Sequence, residues 1–582
     1  MKKALFFLLW VLVCSIPVYA VENPHVFELI QNDFNTGKIS RAQELIYNLT
    51  AIYNPQNLPT DYRTNETFVT RQATSLKMEA MREFSNFTEQ ERDALKVFYT
   101  RPPATKLNQS LISPSGKFEI HYTLNGDDAA TPEFIALTAS AFDHVYDVEV
   151  NQMGFMAPPI DDPEAPEYDV YVYNMGDYGA TTPENAVPGT ARDDYTSWIE
   201  IDNDFTQTKT VGVPAMQVTA AHEFFHMIHF GYRGISGPDM DPIFLYESTA
   251  AWMEDVVYDD VNDYLFYLTG SGGLFQNFNR SFYYRNGTNE YGQCIFYHML
   301  QKKYGINIVR EVWESYINHE PLEAIDLALL QHDSNLKTEL GEYAIWNYFT
   351  GDRADTLHYY PEGESYPQVK YADQVTITDS QMISGNVRKQ SLNYYEITPS
   401  KTADYHFTPT FENPENWVYA VIVDPHTESA EIKNDLVGGN SVANLEDVTS
   451  ISKIILCPVY ASIPESFDIY STESFQMQIE PGLGQNMDNR LISVNPAPFI
   501  PSRHGKVKVV YNLNETSTVY ANIYNENGIQ VKHIRLGLCP DGLNFFEWDG
   551  TNDDGEGVVS GIYLFILESD VVLGPGKIAL IR

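Results

Sequence analysis

The run Ala-Ala-His-Glu-Phe-Phe-His-Met-Ile-His at residues 220–229 holds two histidines, His222 and His226, four positions apart with Glu223 beside the first. On a helix that spacing stacks two imidazoles one turn apart, where they can share a metal ion, and sets the intervening carboxylate toward a metal-bound water. The chemistry implied is zinc-assisted hydrolysis of a peptide bond. Glu223 is the general base, His222 and His226 are metal ligands, and Zn²⁺ is the cofactor. A catalytic zinc takes three protein ligands and leaves one position for water, so a further donor must come from elsewhere. Glu247, separated from His226 by twenty residues, is the preferred candidate, and Glu254, one heptad on, is its rival. His229 falls close to the same helical face. One straight helix cannot wrap three successive turns around a tetrahedral ion, so His229 is better read as supporting the helix end or a neighbour. For the developing oxyanion the candidate donor is Tyr291, weighed against a structural role in a chain with 39 tyrosines.

The elements that must hold these residues are two helices. Pro214 suits a first helical turn, and Val218, Ala221, Phe225 and Ile228 recur at helical spacing beside the histidines, with Gly231 as a stop. A turn through Gly231, Gly234, Gly237 and Pro238 leads to a second, antiparallel helix over 241–255, where Ala250 and Ala251 permit close packing.

His-Glu-Phe-Phe-His, the twenty-residue gap, and Tyr-Glu-Ser-Thr-Ala-Ala-Trp-Met-Glu-Asp at 246–255 resemble the gluzincin metallopeptidases, whose third ligand is a glutamate. The chain resembles one secreted bacterial branch of these, a likeness extended by Tyr291-Gly292 through Leu300 and by Lys303-Tyr304-Gly305. The likeness covers roughly residues 115–350 and implies an α+β zincin-like catalytic domain. One departure is Ala251, where thermolysin-like members carry an aspartate, and it leaves the outer partner of the histidines unassigned. The H-E-x-x-H-x-x-G-x-x-H group is disfavoured by His229 and Tyr232.

The fold class expected is multidomain: a zincin-like α+β domain followed by an all-β sandwich and an Ig-like domain. Residues 1–20 read as a signal peptide, with a basic start, an apolar run from Ala4 to Val13 and the small-residue site Val18-Tyr19-Ala20; Val13 ahead of Cys14 argues against a lipobox. Residues 21–110 read as a helical N-terminal segment, a pro-segment or a cap, with Phe27, Ile30, Phe34, Ala42 and Leu45 at helical spacing. The zincin-like domain is expected over 111–358, with strands at Lys117–Tyr122, Tyr168–Tyr173 and Tyr195–Asp202 and a helix over Pro132–Met153. The third strand, just ahead of the zinc helix, is read as a substrate-pairing sheet edge or as an ordinary strand. Short alternating runs from 359 to 484 indicate the β-sandwich. The last module, 485–582, has Asn525-Glu526-Asn527-Gly528 as a hairpin signal, and its Phe546-Glu547-Trp548-Asp549-Gly550, Asp554-Gly555 and Ser560-Gly561-Ile562-Tyr563 resemble the Ig-like module of flagellar hook-capping proteins. That likeness implies cell-surface attachment. Asp549–Glu556 is acidic enough to consider a structural Ca²⁺, but it lacks the alternating loop spacing and reads better as a turn.

A net charge of −42, spread along the chain, argues against nucleic acid and for an extracellular or salty medium. Beyond the signal peptide the cysteines are Cys294, Cys457 and Cys539, odd in number and far apart, so no disulfide framework is implied. No run beyond the signal peptide could span a bilayer. The expected partner is a protein or peptide substrate. Two other readings compete: a non-catalytic surface adhesin with a degenerate zincin domain, against which an intact Glu223 counts, and an aminopeptidase, which would need an acidic pair for the substrate amine.

Overall fold

The computed structural model describes residues 26–63, 70–234, 241–400, 403–424, 433–448, 452–463, 470–481, 490–495, 498–513, 515–540, 542–569 and 575–582. The signal peptide and Cys14, and Gly237 and Pro238 of the expected inter-helix turn, lie outside the described residues.

The chain begins with four helices: α1 (Val26–Asn35), α2 (Arg41–Tyr53), α3 (Ala73–Glu83) and α4 (Glu89–Leu95). Capping boxes start two of them: Ser40 with Gln43 opens α2, and Thr88 with Glu91 opens α4, each pairing satisfying two otherwise orphaned backbone N–H groups. A five-stranded mixed sheet follows, built from β1 (Gln109–Ile112), β2 (Phe118–Tyr122), β3 (Tyr168–Val172), β4 (Gly179–Ala186) and β5 (Tyr195–Ile201). Its spatial order is β1-β2-β3-β5-β4, with β2, β3 and β5 parallel and the two outer strands antiparallel to their neighbours.

Alternation along the strands gives each face of this sheet its own cover. Phe118, Ile120, Val170, Val172, Ile199 and Ile201 point into the main core with α5 (Pro132–Tyr146) and the central helices α6 (Val213–Tyr232) and α7 (Ile243–Val257). Tyr171, Tyr173, Ala180 and Trp198 face the other way and pack under the N-terminal helices. Helix α5 is opened by Thr131, whose hydroxyl accepts from the Phe134 N–H, and it continues as a π-turn over Asp147–Gln152.

The expectation that Tyr195–Asp202 forms a substrate-pairing edge is corrected. This strand is interior, hydrogen-bonded to β3 on one side and β4 on the other, and the edge is β4. β4 carries Pro183 and starts at Gly179, which disguises it as loop in the sequence, yet proline is tolerated at a sheet edge because one row of N–H groups needs no partner there.

Beyond the helical region lie two further β units. The first stacks a four-stranded sheet (Gln381–Arg388, Ala403–Phe411, Ala443–Val448, Thr472–Pro481) on a larger one that includes Asp373–Ile377, Tyr395–Pro399, Trp417–Asp424, Lys433–Gly438 and Lys453–Tyr460. Tyr405, Phe407, Trp417, Tyr419 and Phe475 fill the space between, while Val418, Ala420 and Ile422 turn outward and join the main core. The second closes three strands over four around Val507, Val509, Tyr511, Trp548 and Phe565. Asn525 makes its tight hairpin, its side-chain oxygen accepting from the N–H groups of Asn527 and Ile529. The acidic stretch 549–556 forms a hydrogen-bonded turn in which Asp549 accepts from the Thr551 N–H and Asn552 from the N–H groups of Asp554 and Glu556. Cys294, Cys457 and Cys539 are free and buried. Among the described residues no helix is long and apolar enough to cross a membrane.

Candidate metal centre

Helix α6 starts after Gly212, held at φ +67°, with Pro214 in its first turn, and it runs one residue past the expected stop at Gly231. It is buried from Ala215 onward except at Gln217, so its polar residues must satisfy one another. Helix α7 packs directly against it, and Ala250 and Ala251, both fully buried, permit the approach. Gly179 of the edge strand lies just as close. A Cβ there would stand 2.8 Å from Thr219 Cγ2, 2.9 Å from the Glu200 carbonyl oxygen and 3.0 Å from Glu223 Cγ.

This packing brings His222, His226 and Glu247 together. The Nε2 atoms of the two histidines are 3.1 Å apart, and Glu247 Oε2 lies 3.3 Å from His222 Nε2 and 3.5 Å from His226 Nε2. Donors on adjacent corners of a tetrahedral zinc are about 3.3 Å apart, given bond lengths near 2.0–2.1 Å. The triangle therefore fits one face of such a coordination sphere, and two imidazoles with a carboxylate are a donor set that a zinc ion accepts. All three side chains are at most 4% exposed. Burial opposes a proton on His222, but Glu247 and Glu254 outweigh it and raise its pKa to about 10. Glu247 is held well below the usual carboxylate range: burial works against ionisation, and His226 and His222 overcome it.

Glu254, the rival for third ligand, stands behind the triangle, its Oε1 2.7 Å from His222 Nδ1. It is the outer carboxylate that the sequence left unassigned, of the kind that fixes the tautomer and direction of a ligating ring. His229 supports the second ligand in the same way. Its Nδ1 is 3.2 Å from His226 Nδ1, its Nε2 is 3.3 Å from Thr249 Oγ1, and its ring stacks at 3.9 Å on Trp313. Burial, followed by the nearby His226 and His222, pushes its pKa well down, so it is a neutral hydrogen-bonding relay.

Glu223 points from the same helix toward the edge strand. Its Oε2 accepts from Thr181 Oγ1 at 2.7 Å and from Thr74 Oγ1 at 3.1 Å. Thr74 belongs to α3, which sequence reasoning did not connect with the site. Ser75, next to it, donates to Glu247 Oε1, and Tyr291 donates its hydroxyl proton to the carbonyl oxygen of Arg71, with its ring 6.0 Å from that of His222. Periodicity marked this stretch as helix, and nothing local in it announces contact with residues some 170 positions away.

A second cluster, Glu119, His121 and Asp169, also gathers three potential ligand atoms within 4.8 Å, but it is half-exposed. His121 Nε2 lies 2.6 Å from Asp169 Oδ1, and the Arg101 guanidinium already sits on Asp169, Asp161 and Glu184.

The architecture defines a multidomain protein of helices and several sheets that ends in an Ig-like domain. A family model described as a family of unknown function (DUF6055) matches residues 132–446, more than half of the chain, and the chain belongs to that family. The FlgD Ig-like domain model matches residues 502–570. No curated protein matches. Among solved structures, FlgD from P. aeruginosa is 24% identical over 16% of this chain and 64% of that one, with a TM-score of 0.12. PorZ, a surface component of the type-IX secretion system of Porphyromonas gingivalis, is 18% identical over 18% of this chain and 14% of that one, with a TM-score of 0.13. The periplasmic g-type lysozyme inhibitor PliG of Aeromonas hydrophila is 13% identical over 19% and 98%, with a TM-score of 0.14. The chain thus spans less than two thirds of the FlgD structure and a small part of PorZ.

Proposed function

We propose that the protein is an exported zinc-dependent peptidase whose centre is His222, His226 and Glu247 with Glu223 as general base. The observation that carries this reading is the buried triangle of ligand atoms at 3.1–3.5 Å with a carboxylate on the outer nitrogen of His222. A buried trio of this composition is costly to assemble without a cation to hold it. The gluzincin-like motif and a zincin-like arrangement of sheet edge, α6 and α7 are consistent with it.

A zinc ion held by these three side chains would supply Lewis acidity for the scissile carbonyl and lower the pKa of a bound water. Glu223 takes the proton of the attacking water and delivers it to the leaving amine. Tyr291, whose hydroxyl donates to the Arg71 carbonyl, would stabilise negative charge on the substrate's carbonyl oxygen in this reading. Glu254 and His229 keep the two imidazoles aimed at the metal. The edge strand β4 offers backbone groups to an extended peptide.

Export rests on the signal-peptide pattern of residues 1–20, and surface attachment on the FlgD-type module. The test is metal analysis joined to peptide-library cleavage by wild type and Glu223→Ala. Zinc should be retained in both, with turnover down by about 10²–10⁴ in the variant. Equal, measurable turnover in the two would remove Glu223 from the mechanism.

A further inference from the structure

The centre is covered by residues 70–75. Thr70 pairs in parallel fashion with the stretch leading into the edge strand: its N–H donates to the Gly176 carbonyl at 3.2 Å, and its own carbonyl accepts from the Tyr178 N–H at 3.1 Å. Thr74 Oγ1 takes the Thr181 N–H of the edge strand at 2.9 Å while donating to Glu223, and Ser75 caps Glu247. These are groups that a substrate backbone and the attacking water would need.

Arg71 fixes the segment in place. Its Nη1 pairs with Glu254 Oε1 at 2.5 Å and its Nη2 lies 2.6 Å from Asp263 Oδ2. The guanidinium sits 3.9 Å over the Tyr178 ring, with the Tyr267 ring 6.0 Å away. All three charged side chains are at most 8% exposed. Without Arg71 the buried Asp263 carboxylate would lose its ion pair, and Glu254 would keep its contact with His222 Nδ1 but lose its guanidinium partner. A planar, delocalised cation can bridge two carboxylates and lie on an aromatic face at once, as Arg71 does here, and a compact ammonium does so poorly. Glu254 Oε1 also touches His222 Nδ1, so whatever fills the pocket acts on a metal-binding ring.

We propose that this pocket of Glu254, Asp263, Tyr178 and Tyr267 is a guanidinium-selective subsite of the centre, filled in this state by the chain's own Arg71, which shuts the centre until it is withdrawn. An arginine side chain of the peptide substrate takes its place in the open state. The inference rests on the metal-peptidase reading of the centre.

The test uses the full-length, zinc-loaded chain and follows zinc extraction by dipicolinate, a readout independent of turnover. Arg71→Ala should release zinc about tenfold faster than wild type or more. Added ethylguanidinium should restore slow release to this variant, and ethylammonium should not. Arg71→Lys, which keeps a cation and guards against a folding defect, should still release zinc faster than wild type. Unchanged release in both variants, or equal protection by the two cations, overturns the inference while leaving the metal centre standing. Wild type that binds no zinc overturns the centre itself, and the inference with it. A peptide library presented to Arg71→Ala should yield cleavage biased to arginine-containing peptides. Cleavage without that bias removes the substrate role, and ethylguanidinium protection with no cleavage at all supports the pocket but removes the peptidase reading.

Discussion

Two histidine–carboxylate clusters lie on either side of the same sheet and differ in what surrounds them. At His222, His226 and Glu247 the donors are buried, converge on one point, and are backed by Glu254 and His229. At Glu119, His121 and Asp169 the same residue types lie half-exposed, and Arg101 already supplies the positive charge. Composition alone therefore does not make a metal site. What separates the two is where the resident arginine sits: Arg101 is on Asp169 itself, whereas Arg71 is on Glu254, behind the triangle, and leaves Glu247 facing the two imidazoles and Ser75.

The sharpest way to break this contrast is to delete one carboxylate from each. Glu247→Ala should abolish stoichiometric zinc binding, whereas Asp169→Ala should leave it intact, as read by elemental analysis of the dialysed protein. If zinc content falls equally in both, the distinction drawn from burial and Arg101 fails.

Glu254→Gln sharpens it, since the amide keeps the shape but weakens the partner of His222. Zinc affinity should fall by about 10–100-fold in a chelator competition, and no change would return Glu254 to a bystander.

How far the first cluster was legible depends on range. His222, Glu223 and His226 lie within one helical turn, so spacing alone sets their geometry, and Glu247 follows because an antiparallel neighbour returns past them. The role of Glu254 was hidden because a residue seven positions from Glu247 shares its face, and only packing decides which carboxylate reaches the inner nitrogens and which the outer. The edge strand was hidden by Gly179 and Pro183, which the edge tolerates and the sequence pattern penalises. Thr74, Ser75 and Arg71 were invisible as site residues, because helical periodicity reports which face is buried and not what it is buried against. The hairpin of the last module was visible through the turn residues Asn525 and Gly528, and its Ig-like character through the short runs Phe546–Gly550 and Ser560–Tyr563, all of them local signals.

A third test concerns Asp255, the residue after Glu254 on α7. Burial, and after it the charges of Glu362, Asp259 and Glu254, raise the Asp255 pKa to about 8 from 3.8. Between those values the folded state holds a proton that the unfolded chain has lost, so this group costs stability as pH rises from about 4 to 8. One unit is worth about 1.4 kcal/mol, so the penalty near pH 8 is a few kcal/mol. Asp255→Asn should flatten that slope and raise the urea midpoint at pH 8 more than at pH 5. Identical shifts at both would contradict it.

The smallest effect is expected at Gly179→Ala, where a methyl group would press on Thr219 and Glu223. A loss of about 1–3 kcal/mol in urea unfolding is predicted, and an unchanged midpoint would show that β4 can move away from α6.

X-ray absorption at the zinc edge of the full-length protein tests the central claim most directly. The account predicts one zinc per chain in a four-coordinate shell, with imidazole scattering from two histidines and the remaining donors oxygen at about 2.0–2.2 Å. A shell without imidazole scattering, or the same spectrum from His222→Ala, would contradict it.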